Sequence, residues 1–394
     1  MRDQIAKYAG KLLRDRSVAP GRVGIAAQDD AMISEGASDL SRLAAGVLSR
    51  LSCLGIVAAS PSLPFAEFLL RRAAGGTGAI VPLDTETRTF LHDIPIARKE
   101  EIAADPARAV AALLSNRKGV IAEGVGIVAS GPVTLEQAYI HYSCVFHAAF
   151  VKYLLDVLRD GFLLTGEAES FRSFRETFLP PLTPEGLSFR PGPIEDPDEV
   201  LAEIRTVGRY TVERGLVDSF FGNISYRVGD TIFISQTAAS LDELSGCIDP
   251  VPTDNRSTTG ITASSELLAH RRIYEATGAR AVLHGHPKFA VAMSMLCEEK
   301  DCPVKDCWKD CPKVRMLGDT PVVAGEIGAG GLAVRVPPVI GTPGKAIVYG
   351  HGVFAIGRDG FEEAFRSMVE VENRCRADYF RRFDSRGGGQ SKSE

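Results

Sequence analysis

Apolar and polar positions along this chain follow two rhythms, one helical and one of short strand-like runs. Glu199–Glu213 carries apolar residues at helical spacing and stops before Gly215, which predicts an amphipathic helix. Asn223–Arg227 and Thr231–Ser235 flank a Gly229-Asp230 pair, the pattern of a β-hairpin. Ser264–Ala276 returns to helical spacing, with serine at its start and Gly278 just past its end. Ala279–Leu283 and Ala346–Tyr349 predict short buried strands, and Phe361–Phe380 a closing helix. This order predicts an α/β layered domain with a largely antiparallel sheet.

The first half looks like a copy of the second. Lys118-Gly119-Val120-Ile121-Ala122-Glu123-Gly124 before the helical stretch Thr134–Leu158 parallels Lys345-Ala346-Ile347-Val348-Tyr349-Gly350-His351 before Gly360–Phe380. Met32-Ile33-Ser34 pairs with Phe233-Ile234-Ser235, and Phe65–Gly78 tracks Glu266–Gly278. Between the halves, Leu179–Pro197 holds six prolines and reads as a linker of limited flexibility. The expected division is residues 1–190, residues 195–384, and a disordered polar tail over 385–394.

Chemistry concentrates in the second half. His284 and His286 stand one residue apart at the end of an apolar run. On a strand, such residues share a face with Cα atoms roughly 6.5 Å apart, close enough for both imidazoles to reach one ion. Ser264-Ser265-Glu266 lies upstream and Gly350-His351-Gly352 downstream, so three imidazoles and a carboxylate are available for zinc or a similar divalent ion. A surface H-x-H arises by chance, but three separate segments do not converge on one donor set so readily. In the first half, Glu123 is read at the place of His351, and Val81-Pro82-Leu83-Asp84 at that of Leu283-His284-Gly285-His286. His92, His141 and His147 do not restore the spacing. The last two, among aromatic residues of a long helix, read as packing residues.

Five elements in order resemble the class II aldolase/adducin family: Gly222-Asn223-Ile224-Ser225-Tyr226-Arg227, Ile234-Ser235-Gln236-Thr237-Ala238, Ser264-Ser265-Glu266 with His270, His284-Gly285-His286, and Gly350-His351-Gly352-Val353 with Glu363-Ala364. They cover nearly all of residues 199–380. The resemblance implies two three-layer α-β-α domains with largely antiparallel central sheets, the first a degenerate copy. It implies that His284, His286 and His351 hold zinc or another divalent metal such as manganese, iron or cobalt. Glu266 would be the acid/base carboxylate, and Asn223, Thr237, Ser264 and Ser265 would bind a substrate phosphate. Residues opening a helix suit an anion on physical grounds too, and Ser264 also reads as a plain helix cap. The implied activity is a lyase that makes or breaks a C–C bond in a small hydroxylated carbonyl compound, as in a sugar phosphate, through a metal-stabilised enediolate. An epimerase, dehydratase or decarboxylase on the same site, and a non-catalytic adducin-like scaffold, are the alternatives. Gln236 and Ala238 replace a proline and a glycine of the family's phosphate loop. The resemblance also implies subunit contacts, and with the duplication it predicts a homodimer mimicking a tetramer.

The formal charge of −5 and the pI near 5.9 argue against a nucleic-acid or anionic-membrane partner. No export signal or membrane span is evident, so a cytoplasmic enzyme acting on a small molecule is expected. Four of eight cysteines, Cys297, Cys302, Cys307 and Cys311, fall in one short stretch. Thiolates there would suit a second zinc or an iron–sulfur cluster, while a lysine-rich loop of reduced thiols or a local disulfide accounts for the pattern as well.

Overall fold

The computed structural model describes residues 1–62, 65–73, 78–218, 220–254, 261–299, 301–325 and 329–385. The expected disordered tail lies outside them beyond Ser385. The described chain divides into two compact units, Met1–Pro180 with the described residues from Phe383 to Ser385, and Pro181–Arg382. The boundary falls ahead of the expected one because much of the proline-rich segment packs onto the second unit. Ile194 is buried there with its N–H donating to the Tyr226 hydroxyl, and the Leu182 N–H donates to Asn373.

The first unit holds β1 (Val18–Gln28), β2 (Met32–Gly36), β3 (Gly55–Pro61), β4 (Ala79–Ile80), β5 (Ile94–Ala97), β6 (Gly119–Ala122) and β7 (Gly126–Gly131), in the sheet order β2-β1-β3-β7-β6-β5-β4. The second holds β8 (Asn223–Val228), β9 (Thr231–Ser235), β10 (Ile248–Pro252), β11 (Ala281–Gly285), β12 (Arg315–Leu317), β13 (Thr320–Val323), β14 (Lys345–Val348) and β15 (Gly352–Gly357), in the order β10-β9-β8-β11-β15-β14-β13-β12. Apart from the extra edge strand β10, the two orders are the same. Every pairing also agrees in sense: β5 with β6 and β13 with β14 are parallel, all others antiparallel. The duplication is therefore one of topology, in two mixed but mostly antiparallel sheets.

In the second unit, one sheet face presents Ile232, Ile234, Val282, Phe354 and Ile356 to helix Leu267–Thr277 and to Leu332, Val336 and Ile340. In the first, Ala26, Ile56, Ala58 and Val128 pack in the same way on helices Ser38–Leu48 and Pro106–Leu114. Burying such apolar area at roughly 25 cal/mol per Å² drives both cores.

The residue matches read from sequence slip by one position. Gly119 pairs with Ala129 as Lys345 pairs with Ala355, so Gly119, not Lys118, is the counterpart of Lys345. Met32 likewise answers to Ile232 rather than Phe233, by its pairing through β1. Helix Phe65–Arg72 follows β3, which makes it the counterpart of Lys288–Ser294 after β11, not of Leu267–Thr277. Helix Leu267–Thr277 answers instead to Ser38–Leu48. β6 and β14, buried on both faces, carry no alternation that would pin their register.

Candidate metal centre

β8, β11 and the β14–β15 turn come together at one end of the second sheet. His284 pairs with Asn223 across β8 and with Phe354 across β15, which puts His284 and Asn223 side by side on the face toward helix Leu267–Thr277. His286 lies just past the end of β11 rather than on it, before Pro287, and its ring stacks on Phe221 at 5.4 Å. Gly350, at φ +61°, turns the chain so that His351 faces the same point. The three imidazoles are buried, with candidate ligand nitrogens all within 4.8 Å of one another. His284 Nε2 and His286 Nε2 stand 3.0 Å apart. Nitrogens about 2.0–2.1 Å from a tetrahedral ion lie roughly 3.3 Å apart, so the rings are close to a chelating arrangement.

The carbonyl of Val353 lies 3.0 Å from His284 Nδ1 and accepts its proton, which leaves the Nε2 lone pair facing inward. The Phe354 ring stacks on the His284 imidazole at 4.0 Å and fixes its plane. Burial, aided by His351, drives His284 down to about 4 against the pull of Glu266, so the ring is neutral near pH 7 and available to a metal.

Glu266 sits at the start of helix Leu267–Thr277, 3.2 Å from His351 Nε2 and 3.5 Å from His284 Nε2, and accepts from Asn223 Nδ2 at 2.9 Å. Burial acts to raise its pKa, but His284, His351 and Asn223 outweigh this and hold the carboxyl below the usual carboxylate range. The helix N-terminus adds to that preference for the charged form.

Behind Glu266 runs a buried relay that the motif spacing did not reveal. His270 Nε2 donates to Asn223 Oδ1, and His270 Nδ1 accepts from Ser225 Oγ at 2.6 Å. Ser225 in turn meets the Tyr274 hydroxyl at 2.7 Å. This assignment follows because Asn223 already donates its amide to Glu266, leaving its oxygen as acceptor. Burial pushes His270 down to about 3, so the ring is neutral and one nitrogen accepts. Its four-residue spacing from Glu266, one helical turn, was the signal available in the sequence.

The sequence-predicted phosphate group is only partly gathered. Asn223 is committed to Glu266 and His270. The Thr237 hydroxyl donates to the Ala263 carbonyl at 2.9 Å, and Ser264 Oγ accepts from the Glu266 N–H at 3.3 Å. Ser265 is exposed. The helix starts at Leu267, not Ser264, with Glu266 as the capping position, because residues around Ala263 are drawn into a bridge with Gln236. The serines therefore precede the helix rather than cap it. Ala238 adopts φ +59°, the left-handed region its missing glycine would favour, at a cost of about 1 kcal/mol.

By strand register, Ala58 stands at the place of His284, Ser60 at that of His286 and Val125 at that of His351. These replace the matches to Val81–Asp84 and Glu123 expected from sequence. Gly24 answers to Asn223, and Ala37, capping helix Ser38–Leu48, answers to Glu266. By position, then, Ala58, Ser60, Val125, Gly24 and Ala37 are the first unit's counterparts of the five site residues. His141 and His147 are buried in helix Leu135–Asp160, as expected of packing residues.

Residues 202–379 match the Class II Aldolase and Adducin N-terminal domain. The second unit is a class II aldolase/adducin domain. The methylthioribulose-1-phosphate dehydratase of Granulibacter bethesdensis is 26% identical over 180 residues, 42% of this chain and 84% of that protein. A probable bifunctional methylthioribose-1-phosphate isomerase/methylthioribulose-1-phosphate dehydratase of Nocardia farcinica is 32% identical over 102 residues, spanning 24% of this chain and only 18% of that protein. Among solved structures, the l-fuculose-1-phosphate aldolase of Thermus thermophilus is 25% identical, covering 49% of this chain and 99% of that one, with a TM-score of 0.40. The names of these relatives and of this structure are names of enzymes. No helix among the described residues is long and apolar enough to cross a membrane.

Proposed function

We propose that this chain is a divalent-metal-dependent lyase acting on a small phosphorylated hydroxycarbonyl compound. The observation that carries the reading is the buried Glu266 carboxylate within 3.2 Å of His351 and 3.5 Å of His284, beside three imidazoles with converging nitrogens. His284, His286 and His351 hold the ion, which when bound supplies Lewis-acid polarisation of a substrate carbonyl. Glu266 moves a proton at the substrate, Asn223 holds one carboxylate oxygen in place, and the Phe221 and Phe354 rings keep the imidazoles oriented and dry.

Proton transfer beside a polarised carbonyl serves two lyase outcomes. Deprotonating a β-hydroxyl breaks a C–C bond and releases an aldehyde. Deprotonating the α-carbon expels a β-hydroxyl as water. The relatives favour the second reading, since both are named as methylthioribulose-1-phosphate dehydratases. Metal-loaded protein is incubated with methylthioribulose 1-phosphate and, separately, with fuculose 1-phosphate, and products are resolved by mass. Loss of water from the first supports dehydration, and aldehyde release from the second supports aldol cleavage. No turnover of either, nor of a panel of other ketose and aldose phosphates, by protein with its histidine site filled overturns the lyase reading.

The relay behind Glu266 gives a second expectation. His270→Ala strands Asn223 and Ser225 without their buried partner, at about 1–3 kcal/mol of stability. Turnover falls about 10–100-fold, the scale seen when outer partners of a metal site are removed. His270→Gln, able to donate to Asn223, recovers part of the rate. Equal rates for all three proteins would show that the relay does not position Glu266.

A further inference from the structure

Residues 296–314 contain no buried side chain among those described, and their one regular element is the four-residue helix Cys307–Asp310. Apolar burial therefore does not hold this stretch, and long irregular segments inside a compact domain call for some other constraint. The stretch is nevertheless closed at its neck. Arg315 donates to the carbonyls of Leu296 and Ser294, and the Gly325 N–H donates to the Trp308 carbonyl.

Cys297, Cys302, Cys307 and Cys311 all line one cavity of about 20 Å³, walled by Val322, Val323 and Tyr349. A space of that size suits one water or one small ion. None of the four thiols is in a disulfide. Lys313 and Arg315 line the same cavity. We propose that these four cysteines bind a structural zinc ion that holds the 296–314 segment against the sheet.

The donor chemistry supports this choice. Four thiolates around Zn²⁺ leave a net charge of −2; Arg315 lines the cavity as a cation, while Lys313 there is paired with Glu299 at 2.8 Å. A closed four-sulfur shell is the usual structural zinc arrangement. Among the described residues the three histidines are the group already gathered closely enough to hold an ion, and the four thiols are not. Sulfurs on a zinc ion at about 2.3 Å lie roughly 3.8 Å apart, so binding draws the four thiols inward. Segments without packed neighbours can make that movement at little cost. Tyr349 walls the cavity and precedes His351 by two residues, and Ser294 at the neck accepts from the Gly350 N–H at 2.8 Å, so the zinc also steadies the turn carrying His351.

The test uses the full chain purified from zinc-supplemented cells without chelator. A variant carrying His284→Ala, His286→Ala and His351→Ala is expected to keep about one zinc per chain, and adding Cys302→Ser with Cys307→Ser removes it. The wild-type chain reconstituted with cobalt(II) is expected to show sulfur-to-cobalt charge-transfer absorption, which imidazole ligands do not give. This reads the site even if the multiple variant fails to fold. Wild-type protein without sulfur-to-cobalt absorption overturns the proposal, as does iron in place of zinc or a disulfide between any two of the four cysteines. The result is independent of whether the histidine site is catalytic.

Discussion

Glu266→Gln is expected to cut turnover about 10²–10⁴-fold while the protein keeps its histidine-bound metal. That range is the usual contribution of a general acid or base. Glutamine has nearly the same shape and fills the same buried position between Asn223, His284 and His351. It still accepts a hydrogen bond from Asn223 through its amide oxygen, so the packing around the three imidazoles changes little. What it loses is the negative charge and the ability to take and return a proton at the substrate. Removing that charge also removes an attraction for His284, which leaves its ring still less prone to protonation and still able to ligate. Elemental analysis of the variant beside turnover on the best substrate separates the two effects. Wild-type turnover in a metal-loaded variant would show that the proton travels by another group. Loss of metal along with rate would show that the carboxylate is chiefly a ligand.

The elements of the second unit were legible because their boundaries carry local signals. The hairpin follows from Gly229-Asp230 between β-prone runs and the first helix from its spacing, and both appear within a few residues of where they were expected. The convergence of His284, His286, His351 and Glu266 was readable as a donor set because those residue types are costly to bury together without a purpose. Register was less legible. β6, β11 and β14 are buried along their whole length, so sliding one by a residue changes nothing in the apolar pattern. In the turn after β6, the counterpart of His351 lies two places along the chain from Glu123, at Val125. The start of helix Leu267–Thr277 was misplaced for a different reason: Ser264 carries a capping residue type, but the Gln236–Ala263 bridge and the Ser264 N–H bond to the Ser235 carbonyl tie the chain to the sheet there, and the helix opens only after a turn at Ser265 and Glu266. The relay from Tyr274 to Asn223 was missed because its members come from β8 and the helix, far apart in sequence and joined only by the fold.

Replacing Gly352 by alanine is expected to weaken metal binding at the histidine site, and the same change at Gly126 is not. In both units a glycine opens the strand that follows the tight turn, β15 in one and β7 in the other. At Gly352 an added methyl would fall on the Gly285 carbonyl and lie 2.7 Å from His286 Cδ2 and 2.9 Å from His284 Cε1. Both rings would have to move, and outer-shell changes of this kind typically weaken metal binding about 10–100-fold. Overpacking adds a stability loss of about 1–3 kcal/mol. At Gly126 the methyl would fall on the Ala59 carbonyl and 2.8 Å from Ser60 Cα, with a further strain from φ +134°. The backbone penalty there is at least as severe, but no imidazole stands nearby, since Ala58, Ser60 and Val125 occupy the matching positions. Denaturation midpoints and metal titrations on the two variants separate architecture from chemistry. Both proteins should unfold more easily, and only Gly352→Ala should lose metal affinity. Equal metal affinity in the two would mean that the close approach at Gly352 serves the fold alone.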